Sequence, residues 1–304
     1  MPRTNKNDSE RIDQLLSMLW SSKSKTRTKA IADQILEINP HRVEALIIKS
    51  DTCDNARDMA KFLEKALSAL KAPKNFAPDD RNLLFLTINQ RLAWCYMTVG
   101  QSDKAFKACE TAVKFMEEHA GDESLYDEKN NTLVKALYYR LLIDRKEWQK
   151  ILSEAMRDSD ITLARAYAKL IAAWCMSKEK ARSVCASLFW DVLTIAPDVP
   201  FYMFGYFEEP DENAEPEADE DFNFALMYYD VIKVSQEFYD WFTRGVILFG
   251  LLSGRFDERE EEYMIDALDS LGGFDEYERM KNILVETEDS IVIETLAANK
   301  CLVD

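Results

Sequence analysis

Histidine, glycine and proline are scarce in this chain: two, eight and eight residues out of 304. The two histidines, His41 and His119, have no Cys or His at ligand spacing, which argues against a zinc site. His119 reads instead as a favourable charge at a helix C-terminus. The six cysteines are scattered without a C-x-x-C pair. They read as small core residues of a protein in a reducing compartment. No G-x-S-x-G, P-loop, G-x-G-x-x-G or H-E-x-x-H occurs. The expectation is therefore a non-enzyme with no catalytic residue, no cofactor and no metal. Long apolar runs are missing too. Stretches such as 245–252 fall far short of the roughly 20 residues that span a bilayer. The start, MPRTNKNDSERIDQLL, lacks a signal-type apolar stretch, so a cytoplasmic protein without membrane insertion is expected. Cations are outnumbered, giving a net charge of −17. Such a charge disfavours nucleic acid and anionic lipid and leaves protein partners.

What is present is helical periodicity. Ser9 can cap a helix carrying Ile12, Leu15, Leu16 and Leu19, and a second helix covers 29–38, ending before Asn39-Pro40. A third helix begins near Arg42, and further helices fit 54–70, 81–98, 102–119, 132–143, 147–156, 161–176 and 180–195. Nothing alternates at period two over a strand length. Residues 198–221 break the pattern. Phe201, Tyr202, Phe204, Tyr206 and Phe207 lead into EEPDENAEPEADED, and no Lys or Arg occurs between Arg182 and Lys233. That run lacks the spacing of a calcium loop and reads as a solvating linker. Aromatic-rich helices resume over about 220–252, and shorter amphipathic ones follow Gly254, interrupted at Gly272-Gly273.

The segment 83–112 carries the strongest pattern. Leu92, Ala93 and Tyr96 share a helical face, Gly100 follows, then Ala105 and Ala112. This spacing resembles a tetratricopeptide repeat, a helix–turn–helix unit that stacks into a solenoid. Ala173, Met176, Cys185, Phe189 and Val192 repeat the intervals of Ala93, Tyr96, Ala105, Cys109 and Ala112. Leu193-Thr194-Ile195-Ala196-Pro197 also echoes Leu36-Glu37-Ile38-Asn39-Pro40. The expected fold is all-α: a right-handed superhelix of tetratricopeptide-like antiparallel helix pairs with an irregular helical C-terminal cap. The expected divisions are repeats over 1–197, an aromatic and acidic insertion loop over 198–221, and a C-terminal helical region, 222–304, packed on the last repeat.

Several segments also resemble the suppressor-of-tumorigenicity-7 proteins: LEINPHRVEALIIKSD, INQRLAWCYMTVGQSDKAFK, the helical pair at 131–157 and TIAPDVPFYMFGYF. Their order and rough spacing match over about 30–255. The resemblance implies a helical-repeat protein with no established catalytic residues or cofactor. Animal members carry membrane-spanning segments, which have no counterpart in this chain.

In such a solenoid the first helix of each pair lines a concave groove. Thr87, Gln90, Trp94 and Met97 form one stripe, and Asn131, Lys135 and Tyr138 extend it on the next such helix. Gln90 and Lys135 could hydrogen-bond a peptide backbone or a terminal carboxylate. No paired Asn and Lys set of the carboxylate-clamp kind stands out. The expected function is a protein–protein interaction scaffold that binds a partner segment in this groove. The alternative is a regulatory sensor that binds a small molecule or peptide there, gated by the acidic loop. Exposed aromatics near 201–207 leave room for a homodimer.

Overall fold

The computed structural model describes residues 6–22, 24–77, 80–122, 125, 128–155, 162–176, 182–204 and 224–303. Among them the regular structure is helical and no strand occurs, so the protein is all-α. The elements are α1 (Lys6–Trp20), α2 (Lys25–Ile38), α3 (Val43–Asp51), α4 (Ala56–Ala69), α5 (Arg81–Thr98), α6 (Ser102–Glu118), α7 (Glu128–Asp144) and α8 (Trp148–Ala155). They continue with α9 (Leu163–Met176), α10 (Arg182–Ile195), α11 (Val199–Phe204), α12 (224–228), α13 (Gln236–Leu252), α14 (Glu258–Ser270), α15 (Phe274–Lys281) and α16 (Asp289–Ala298). None of the described helices is long and apolar enough to cross a membrane. The chain divides into two compact units, Met1–Tyr138 and Tyr139–Asp304.

In the first unit each helix from α1 to α5 packs on the next in sequence, ending with α5 on α6. Close approach is possible because the contact faces carry alanine. Ala32, Ala45, Ala66, Ala93, Ala105 and Ala112 are fully buried beside Ile35, Leu63 and Ile88. Two helix starts differ from the sequence reading. Ser9 lies inside α1, which begins at Lys6. The α2 helix begins a turn early because the Ser24 hydroxyl caps the Arg27 N–H. The loop after α4 is anchored through a buried pair. Arg42 Nε lies 2.8 Å from Glu44 Oε2, and Glu44 Oε1 accepts from the Ala77 N–H at 3.1 Å.

The second unit is built around rings. α8 packs on α9 and α9 on α10, while α13 meets α14, α15 and α16. Phe189 of α10 meets Trp241 and Phe242 of α13 edge-on, with centroids 5.6 and 5.2 Å apart. Tyr167, Phe238 and Phe249 are fully buried around them. The segment 198–204, expected as loop with exposed aromatics, contains α11, and its Phe201 is 0% exposed. Phe201 packs against Phe249 and Phe256. Arg255 lies over the Phe201 and Phe249 rings and pairs with Asp198 and, at 2.5 Å, Asp289. The rings named as a dimer surface are thus core or half-buried as far as Phe204. Tyr206, Phe207 and the acidic run 208–221 lie outside the described residues.

The echo between 93–112 and 173–192 holds on one helix only. Cys185, Phe189 and Val192 are fully buried, as Ala105, Cys109 and Ala112 are. On α9, however, Met176 is 45% exposed, and the buried face runs through Ala168, Ile171 and Ala172. That face is displaced by one residue from the echo of Ala93 and Tyr96.

Five helices end in the same way. A residue with positive φ follows, and the next N–H reaches the carbonyl five residues back: Gln101 to Tyr96, Glu147 to Leu142, Arg255 to Gly250, Gly273 to Leu268 and Cys301 to Leu296. Glycine fills the left-handed position at Gly100, Gly254 and Gly272, but lysine fills it at Lys146 and Lys300. Lys146→Gly and Lys300→Gly should each stabilise the protein by about 0.5–1 kcal/mol, because a β-carbon is disfavoured there. Gly250→Ala should act in the opposite direction. Its β-carbon would sit 2.5 Å from the Phe256 ring and 2.9 Å from Phe201, at a cost of about 1–3 kcal/mol. Urea denaturation of the three variants measures both signs.

Candidate functional site

The groove residues named from sequence all lie in the first unit, on α5 and on 128–138 of α7. α5 is buried on most of its circumference, and its least buried stripe runs Leu83, Thr87, Arg91, Trp94, Met97 and Thr98. Thr87, Trp94 and Met97 are half-buried in that stripe. Gln90 sits at its edge, is 7% exposed, and turns toward α7. There its Nε2 donates to Asn131 Oδ1 at 2.9 Å, which brings the two stripes side by side. Lys135, one turn further along α7, is half-buried. Tyr138 is buried, with its ring stacked on Phe106 at 5.8 Å. The geometry therefore separates the set. Thr87, Trp94, Met97 and Lys135 reach the surface, Gln90 and Asn131 hold each other, and Tyr138 packs inside. Sequence reasoning missed Leu83 and Arg91, although both fall on the stripe at helical spacing from Thr87. Leu83 is exposed, and the Arg91 guanidinium meets the Asp51 carboxylate of α3.

The remaining candidates are dispersed. His119 caps α6, its Nδ1 2.9 Å from the Phe115 carbonyl and its ring stacked on Phe115. His41 lies in the turn after Pro40, where its N–H donates to Asn39 Oδ1. Among the described residues no three His, Cys, Asp or Glu side chains converge on a metal position. All six cysteines are free thiols, four of them buried. Burial pushes Cys109 and Cys301 up to about 12 and Cys185 to about 11, so the thiolate is disfavoured at each.

Cavities open in each unit. One, in the first unit, has a volume of about 340 Å³ and is walled by α2, α3 and α4, with Lys29, Lys49, Lys61 and Lys65 around it. Another, about 430 Å³ in the second unit, is walled by 146–150 and Met176. The first escaped the sequence reading because its lysines come from three helices and the whole-chain charge hides them. Met1–Tyr138 carries 21 Lys and Arg against 20 Asp and Glu, whereas Tyr139–Asp304 carries 17 against 35. The negative charge therefore belongs to the second unit.

The thiols set an alkaline limit on stability. An acid whose folded pKa is raised keeps its proton where the unfolded chain would release it. Its contribution is complete below pH 9.0, the ordinary thiol value, and is lost as pH rises toward 11–12. The unfolding midpoint in urea should fall above pH 9, and Cys109→Ala should flatten that fall. At pH 8, a thiol reagent should modify half-buried Cys53 and Cys175 first, and the other four only on unfolding.

Comparison with family models, with curated proteins and with solved structures finds no match. The functional reading therefore rests on the residues themselves.

Proposed function

We propose that the protein is a non-enzymatic interaction scaffold of tetratricopeptide-like stacked helix pairs, akin to the suppressor-of-tumorigenicity-7 proteins. In this reading the helix pairs follow a right-handed superhelix, and a partner protein segment docks along α5 and the start of α7. One observation carries it: the Gln90–Asn131 hydrogen bond sets the α5 and α7 stripes side by side. It leaves Thr87, Trp94, Met97 and Lys135 reaching the surface of one face. Such a face offers an amphipathic ring, a thioether and a cation, a mixture suited to a peptide with an apolar anchor and an acidic or C-terminal carboxylate group.

Two further features support it. The Gln90–Asn131 bond acts as a strut that fixes the two helices' register. The stripe residues stand on helices whose opposite faces are packed, so a ligand meets side chains with little left to order. The same reading makes the protein a cytoplasmic adaptor, with its acidic second unit favouring basic or neutral partners.

Affinity capture from the native cell extract tests this. Proteins retained by the wild-type chain should be lost with Trp94→Ala and with Lys135→Glu, while helical circular dichroism is unchanged. Trp→Ala at an anchor costs about 2 kcal/mol or more of binding, roughly a thirtyfold loss. Full retention by both variants removes the α5–α7 face as the binding surface.

A further inference from the structure

We propose that the cavity walled by α2, α3 and α4 binds a small phosphorylated ligand. Four lysines from three helices line it: Lys29 of α2, Lys49 of α3, and Lys61 and Lys65 of α4. They have different tasks. Lys49 pairs with Asp33, and Lys61 with Asp58 at 2.7 Å, so these two are neutralised within the wall. Lys29 has no acceptor among the described residues. Lys65 has no ion-pair partner among the described residues, and its Nζ lies 5.5 Å from the Phe62 ring centroid. Two cations thus face a cavity with their charge unspent, matching the two negative charges of a phosphate monoester.

The rest of the wall has a compatible character. The α4 N-terminus opens on the cavity through its cap, Asn55, whose Oδ1 accepts from the Asp58 N–H at 2.9 Å. The helix dipole there has the same sign as the lysines. Phe62 supplies an apolar surface for a short carbon skeleton. The Asp58 carboxylate accepts from both Asn55 and Lys61, and this lowers its pKa and keeps it ionised. Asp54 is the one lining carboxylate without an ion-pair partner among the described residues, and it opposes an anion.

Size and charge choose between phosphate carriers. About 340 Å³ lies at the lower end of ligand sites, enough for a small ester. A nucleic acid would also have to tolerate a second unit with 35 carboxylates against 17 cations. A small ion responds mainly to the charges within a Debye length, here four lysines against Asp33, Asp54 and Asp58.

Calorimetric titration of the full chain with glycerol 3-phosphate, at fixed ionic strength, tests the site. One equivalent should bind, and glycerol should not. The double variant Lys29→Ala/Lys65→Ala should weaken binding about tenfold or more. Both side chains are exposed, and circular dichroism checks the fold. Asp54→Asn should tighten binding severalfold. Lys114→Ala, on α6 and outside the cavity, should bind as the wild type does. No binding by the wild type, equal binding by the double variant, or equal loss with Lys114→Ala would each overturn the proposal. So would tighter binding of a phosphoserine peptide than of glycerol 3-phosphate, which would make the site a phosphopeptide one.

Discussion

Close approach to helix backbones is the constraint on which both units depend. Helices packed through large residues stay about 10 Å apart, whereas alanine and glycine let them come nearer. In the first unit Ala45, Ala66, Ala93, Ala105 and Ala112 occupy those contacts. In the second, Gly245 and Gly250 of α13 admit side chains instead, since a β-carbon would meet Phe189, Leu302 or Phe256 at under 2.8 Å. The scarcity of glycine is thus informative: of its few places, these two are spent inside a helix. A helical glycine normally weakens the helix, so its presence here is offset by the rings it admits.

The second unit also relies on cations brought from a distance. The long stretch without Lys or Arg contains Asp198 and Asp230. Arg255 takes up Asp198, while Arg140 takes up Asp230 through both oxygens at 2.8 and 2.9 Å and also meets the Met227 carbonyl. Both arginines are largely buried. Their carboxylate partners are about half exposed, so water can take over those oxygens; what each arginine contributes is mainly its own buried stem and the crosslink it makes.

Local chemistry made much of this fold legible and long-range contacts limited the rest. Gly100, Pro40 and Gly272 punctuate the chain by mechanisms that act within a turn, and the helices between them fell where periodicity put them. Lys146 and Lys300 give no such signal, since lysine has no preference for left-handed backbone. The burial of Phe201 depends on rings at 249 and 256, so a cluster beside an acidic run looked like loop. Gln90 and Asn131 were both singled out, but as ligand contacts. Their mutual bond spans 41 residues and has no local trace. The α9 echo slipped by one residue because interval matching cannot tell which of two neighbouring alanines faces inward. The lysine cavity was hidden by averaging charge over the chain.

The division of charge has a consequence for colloidal behaviour. Around pH 4.7 the chain as a whole is isoelectric. Its first 138 residues, which hold both histidines and near-equal numbers of acids and bases, are then cationic, while the remainder is still anionic. Isoelectricity here means two opposed charges of similar size and not an uncharged surface. The unlike-charged units of different copies then attract one another, and added salt loosens that attraction instead of promoting it.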